Sequence, residues 1–121
     1  MASSFRDLRV WQDAMRLTTN VYKATADFPR HETYGISSQM RRAAVSIPSN
    51  IAEGKGHQTN REFCSFLFHA RGSLLELQTQ ILIAEELQYL SKDRSAQLLE
   101  TAAMVGKSLS GLINSLREPA A

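Results

Sequence analysis

Residues 59–89 read TNREFCSFLFHARGSLLELQTQILIAEELQY, and this stretch decides the fold. Phe63, Leu67, Ala70, Leu74, Leu77, Ile81 and Ala84 recur in alternating steps of four and three. That is the heptad rhythm of a helix laying one apolar stripe into a bundle seam. A half-buried strand would need alternation with period two, which is absent. Thr59-Asn60-Arg61-Glu62 reads as a capping box, with Thr59 as N-cap and Glu62 three residues on. The spacing predicts a long helix, the third of the chain, reaching to about Tyr89.

The same rhythm continues downstream. A short turn, Leu90-Ser91, leads into helix four with Ser91 as its cap, and Leu98, Ala102, Val105, Leu109, Leu112 and Leu116 form its seam. Glu118-Pro119 ends it, because the residue before proline is driven out of the α region. Gly106 and Gly111 lie inside this helix at a cost of roughly 1 kcal/mol each relative to Ala. They mark either close helix approach or a tolerant surface.

Upstream, helix two is predicted from Ile36 to Glu53 or Gly54, with Ile36, Met40, Ala43, Ala44, Ile47 and Ile51 as its apolar row. The row stays in register past Pro48, which predicts one helix kinked at Pro48. The amide missing at position 48 leaves the carbonyl of Ala44 without its helical donor. Gly54-Lys55-Gly56 supplies the stop. Helix one is predicted from Leu8 to Ala26, capped by Asp7. Val10, Ala14, Leu17 and Val21 form its apolar row; Leu8, Trp11, Met15 and Tyr22 widen it. Phe28-Pro29 ends it. Four long helices on short links must run up and down. The expected fold is all-α, an antiparallel up-and-down four-helix bundle, with residues 1–121 as a single domain.

Composition agrees. The chain has 121 residues, with only six Gly and three Pro. Few turns are available, so the elements between them are long. Formal net charge is +2. Met1–Arg61 carry nine Lys/Arg against five Asp/Glu, and Glu62–Ala121 five against seven, so the basic half is the first. That is either ordinary surface variation or the mark of an anionic partner. Cys64 is the only cysteine, which excludes an intrachain disulfide and points to the cytoplasm. The N-terminus has no apolar run fit for a signal peptide, and no stretch is apolar for long enough to span a bilayer.

Catalytic chemistry is sought and not found. A di-iron bundle needs Glu-x-x-His motifs, and none occurs. His31, His57 and His69 show no metal spacing, so neither a metal nor a cofactor is expected. Gly54-Lys55-Gly56 lacks the spacing and the preceding strand of a phosphate-binding loop. Arg61 and His69 stand too far apart for a helical ribonuclease pair. Lone helical cysteines such as Cys64 are usually core. No catalytic residue is predicted, and the chain is not expected to be an enzyme.

Three features point outward. Helix three is too apolar for one seam: Ile81, Leu82, Ile83 and Ala84 are consecutive and surround the helix at about 100° per residue. Leu75 and Phe66 add to the excess, and Trp11 sits near a helix end where a bundle core is thin. Either a wide core takes this surplus or a subunit interface does. On helix two, Gln39, Arg42, Ser46, Ser49, Asn50 and Glu53 fall within an arc of about 100°. Arg42, Ser46, Ser49 and Glu53 could bond along the helix. The stripe is either a hydrogen-bond network fixing helix pairing or a ligand-facing groove. Lastly, Arg41, Arg42, Lys55 and Arg61, with Arg9 and Arg16 on helix one, are candidate phosphate contacts; scattered surface arginine is the plainer explanation.

The segment Ser38-Gln39-Met40-Arg41-Arg42-Ala43-Ala44-Val45-Ser46-Ile47-Pro48-Ser49-Asn50-Ile51-Ala52-Glu53-Gly54 resembles the signature of the bacterial four-helix-bundle proteins encoded in intervening sequences of 23S ribosomal RNA genes. Phe5-Arg6-Asp7-Leu8-Arg9-Val10-Trp11-Gln12 resembles that family's start, and Ala70 to Gln80 its third helix. The likeness covers nearly the whole chain. It implies a homopentameric four-helix bundle. It also implies kinship with the accessory proteins of diversity-generating retroelements, basic pentamers that bind reverse transcriptase and nucleic acid. On this resemblance the stripe from Gln39 to Glu53 is a structural feature of the family, and a ring multiplies the basic residues.

Two functions follow as expectations. The first is a non-catalytic homo-oligomeric scaffold, pentameric by the resemblance, that binds RNA or DNA through Arg41, Arg42, Lys55, Arg61, Arg9 and Arg16. The alternative is a protein–protein interaction adaptor with no nucleic-acid role. An enzyme site assembled between subunits is the third.

Overall fold

Thr59 and Ser91 cap their helices as the sequence predicts. The Thr59 hydroxyl accepts from the Glu62 amide at 3.1 Å, and that of Ser91 from the Arg94 amide at 3.0 Å. Each satisfies one of the amides that a helix start leaves without a partner. The computed structural model describes residues 4–117. It contains four long helices: α1, Arg9–Thr25; α2, Ile36–Lys55; α3, Asn60–Glu86; and α4, Lys92–Arg117. Single 3-10 turns, Phe5–Asp7 and Arg30–Glu32, precede α1 and α2. No strand occurs among the described residues.

Asp7 does not cap α1. It belongs to the first 3-10 turn, where its carboxylate accepts from the Ser4 amide at 3.2 Å while the Ser4 hydroxyl caps that turn. With Asp7 committed backwards, Leu8 takes the cap position and brings no side-chain bond. Val10, Ala14, Leu17 and Val21 are buried as expected, and Ala24 and Phe28 prolong the row. Trp11 packs on the core edge, covered by Phe5 at 5.2 Å between ring centroids. Met15 and Tyr22 are exposed, so the second row faces the core only near the start of α1.

Helix α2 runs unbroken through Pro48, and the carbonyl that Pro48 orphans is served from outside. The Thr18 hydroxyl of α1 lies 3.0 Å from the Ala44 oxygen and 2.8 Å from Ala14 O. A hydroxyl between the two carbonyls replaces the lost amide and offsets part of the roughly 3 kcal/mol that an interior proline costs. Gly54 is more than a stop signal. It is buried inside α2, and a Cβ there would stand 2.7 Å from Phe66 Cβ and 3.0 Å from Phe63 Cδ1. Its missing side chain lets α2 and α3 close on one another.

All seven predicted seam residues of α3 are buried. The helix ends at Glu86 rather than Tyr89, because Gln88 adopts a left-handed conformation with φ 64°. The Tyr89 amide then donates to Ala84 O and the Gln88 amide to Glu85 O, both at 2.9 Å, a Schellman closure built without glycine. In α4 the seam departs from the predicted heptad. Leu98, Ala102, Val105 and Leu109 are buried, but Ile113 follows, while Leu112 and Leu116 are only partly covered. A straight helix of 3.6 residues per turn drifts off a strict seven-residue repeat, which turns Ile113 inward. The Glu118-Pro119 stop lies outside the described residues.

Each helix packs on its chain neighbours, α4 also packs on α1, and the diagonal pairs lie farther apart across the shared core. Pairings fall as chain direction requires: Thr18 with Ala44 and Thr25 with Arg41, then Ser46 with Ser73 and Gly54 with Phe63. Both are antiparallel. Arg117 over Phe68 and Gly106 against Leu74 set α3 and α4 the same way. The fold is an up-and-down four-helix bundle. Of the two α4 glycines, Gly106 would bring a Cβ within 3.3 Å of Leu74, whereas Gly111 faces open space.

Candidate functional site

The bundle presents three surfaces: a polar stripe between α2 and α3, an apolar row on α3, and basic residues shared between its two ends. In the stripe, Asn50 Nδ2 donates to Ser46 O at 2.8 Å and to Ser46 Oγ at 3.0 Å, and Ser46 Oγ meets Ser73 Oγ at 2.8 Å. Ser73 comes from α3 and was not part of the sequence reading. At an i,i+27 separation, nothing in the local pattern connects it with helix two. Gln39, Arg42, Ser49 and Glu53 are exposed and show no side-chain hydrogen bond among the described residues. The expected chain of bonds along the helix through Arg42, Ser46, Ser49 and Glu53 therefore does not form. These side chains gain more from water than from a short surface pair.

Part of the α3 surplus stays outside the core, while Phe66 is half-buried against Gly54. Leu75 and Leu82 remain 59% and 51% exposed, with Ile83 at 44%. Phe68, Leu75 and Leu82 are seven residues apart, so they share one side of the helix. A row of this kind on a lone bundle is surface that gains by being covered.

The candidate basic residues divide between the ends. Helix direction brings Arg9, Lys55, Arg61 and Arg117 to the end where α1 and α3 begin. Arg41 and Arg42 lie toward the other end, about 20 Å from Lys55 along α2. Two of the predicted contacts are engaged internally. The Arg16 guanidinium pairs with the buried Asp13 at 3.4 Å. Arg41 Nε donates to Thr25 Oγ1 at 2.8 Å, its Nη2 approaches Tyr22 O at 3.5 Å, and the guanidinium sits 4.7 Å from the Tyr22 ring centroid. Arg9, Arg42, Lys55 and Arg61 form no ion pair among the described residues.

Two open grooves border these residues. One, of about 600 Å³, is lined by Tyr22, Thr33, Tyr34, Arg41, Arg42 and Val45 among others. The other, of about 520 Å³, lies between α3 and α4, with Arg61, Cys64, Phe68 and Arg117 on its walls. Cys64 is buried at the edge of the core.

The titratable groups with shifted behaviour, Glu62 and Tyr89, line neither groove. The Thr59 hydroxyl donates to Glu62 Oε1 at 2.8 Å, and His57 Nδ1 lies 3.2 Å from Oε2. These contacts, the Thr59 bond first, hold Glu62 below its ordinary carboxylate value. They also divert the carboxylate from the Thr59 amide, so only half of the expected capping box forms. The Tyr89 phenol donates to Glu32 Oε2 at 2.9 Å, which raises its pKa by stabilising the neutral form. Among the described residues no group of three His, Cys, Asp or Glu side chains is placed to hold a metal, and no helix is long and apolar enough to cross a membrane.

Fold and surface together define a helical bundle whose distinctive features are on its outside. Residues 6–111 match the family model described as 23S rRNA-intervening sequence protein, and the chain belongs to that family. A solved structure from Bacteroides thetaiotaomicron VPI-5482, described as a protein of unknown function from the S23 ribosomal protein family, shares the fold. It superposes with a TM-score of 0.78 at 19% identity, covering 86% of this chain and 97% of its own. Comparison with curated proteins returns no match.

Proposed function

We propose that this chain is a non-catalytic scaffold that assembles with copies of itself and carries nucleic acid on its basic surface. The observation that carries the reading is the set of arginines and lysine, Arg9, Arg42, Lys55 and Arg61, left without ion pairs among the described residues. Phosphates suit such groups as partners, and each contact releases counterions. The exposed Leu75 and Leu82 support self-association, since a closed assembly of identical chains is the usual way to cover such a row. In a ring, the likeness to pentameric accessory proteins suggesting five subunits, a modest charge per chain becomes a large one per particle. Arg41 and Arg16 then contribute less than the unpaired four.

Light scattering of the purified protein, with and without a short structured RNA, tests this at low and high salt. The expected result is a multi-subunit particle that takes up RNA at low salt and releases it steeply as salt rises. A particle blind to RNA moves the reading to a protein adaptor; a monomer removes self-assembly.

A further inference from the structure

The groove between the start of α2 and the outer side of α1 combines features that the charge alone does not explain. Tyr34 is 96% exposed, and Tyr22 is 43% exposed. Arg42 is exposed, while Arg41 is fixed by Thr25 and the Tyr22 carbonyl, leaving Nη1 without a protein partner among the described residues. No carboxylate lines the groove. Thr33 and Ser38 add hydroxyls to its wall.

We propose that this groove is a site for single-stranded nucleic acid, with a base stacked on Tyr34 and the adjoining phosphates held by Arg42 and Arg41. The proposal rests on the nucleic-acid reading above and assigns it a place and a strand type. Aromatic faces beside fixed positive charge suit single strands, because every unpaired base offers a π-face and every linkage a phosphate. A duplex keeps the faces of its bases stacked inside, so it gains nothing from stacking on Tyr34. From Ile36, two residues after Tyr34, to Arg42 the helix rises about 9 Å, room for a short run of nucleotides. Two arginines with no carboxylate beside them in the groove favour an anionic occupant.

The test is fluorescence anisotropy with a labelled uridine-rich single strand of roughly a dozen nucleotides, set against a duplex of equal length. Wild type, Tyr34→Ala, Tyr34→Phe and Arg42→Gln are compared, with melting curves and light scattering alongside. Tyr34→Ala is expected to weaken single-strand binding about 5- to 150-fold and to leave the duplex unchanged. Tyr34→Phe keeps the ring and is expected to bind as wild type. Arg42→Gln weakens both and lowers the salt slope by about one. Wild type that binds neither strand nor duplex defeats the nucleic-acid reading and this site with it. Wild type that binds, with Tyr34→Ala unchanged on single strands, overturns the site alone. A smaller particle for Tyr34→Ala also overturns it, by showing that another copy covers the ring.

Discussion

On the α1 side of α2, the Thr18 hydroxyl reaches the carbonyl that Pro48 leaves open, and Arg41 spans to Thr25 and Tyr22. On the α3 side, Gly54 lets Phe63 and Phe66 press against the α2 backbone, and Ser46, Asn50 and Ser73 close a small polar cluster above. The first seam repairs a missing donor; the second exploits a missing side chain. Both depend on a residue that helices disfavour, and each is tolerated because the neighbouring helix completes it. A breaker inside a helix is therefore read correctly only together with the surface it faces.

The comparison is broken most severely at Gly54. Gly54→Ala adds a methyl where Phe66 Cβ allows no room. It is expected to cost about 1–3 kcal/mol through forced separation of α2 and α3. Gly111→Ala, facing open space, is expected to stabilise by about 0.5–1 kcal/mol. Urea melts of the two variants separate packing from propensity; equal shifts would contradict the close approach.

The α1 seam is sharpened by a double-mutant cycle. Thr18→Val is expected to cost about 1–2 kcal/mol, because the Ala44 carbonyl then lacks a donor. Pro48→Ala restores the amide at 48 and is expected to be neutral or mildly stabilising. In that background the Thr18→Val cost falls, a coupling of at least about 0.5 kcal/mol. Strict additivity would show that Thr18 serves Ala14 alone.

The smallest of these effects is expected at the polar cluster. Asn50→Leu removes two bonds to Ser46 at a half-exposed position, for a loss of about 0.5–1.5 kcal/mol. An unchanged melting temperature would mean that water replaces the amide at no cost.

Much of the bundle was legible in residues 59–89. The α3 seam held from Phe63 to Ala84, and the caps at Thr59 and Ser91 formed, because periodicity and capping are local properties of the chain. Asp7 was misread because a second local partner, Ser4, competed for its carboxylate. The site was less legible. Arg16 and Arg41 have the same side chain as Arg42, and only the positions of Asp13, Thr25 and Tyr22 decide which guanidinium stays free. Tyr34 gave no signal at all, since a lone tyrosine in a loop reads the same whether covered or bare.

The sequence by itself determined that the chain forms four long helices, where three of their seams lie, that α2 continues through Pro48, and which family it belongs to. Helical periodicity carries this information within a few turns. Tertiary structure alone decided that Thr18 serves Ala44, that Gly54 is a contact rather than a stop, and that Ser73 joins Asn50. It also separated the basic residues between opposite ends and left Leu75 and Leu82 exposed. These outcomes depend on rotation and height between helices far apart in sequence, and such offsets are set by packing, which no local pattern encodes.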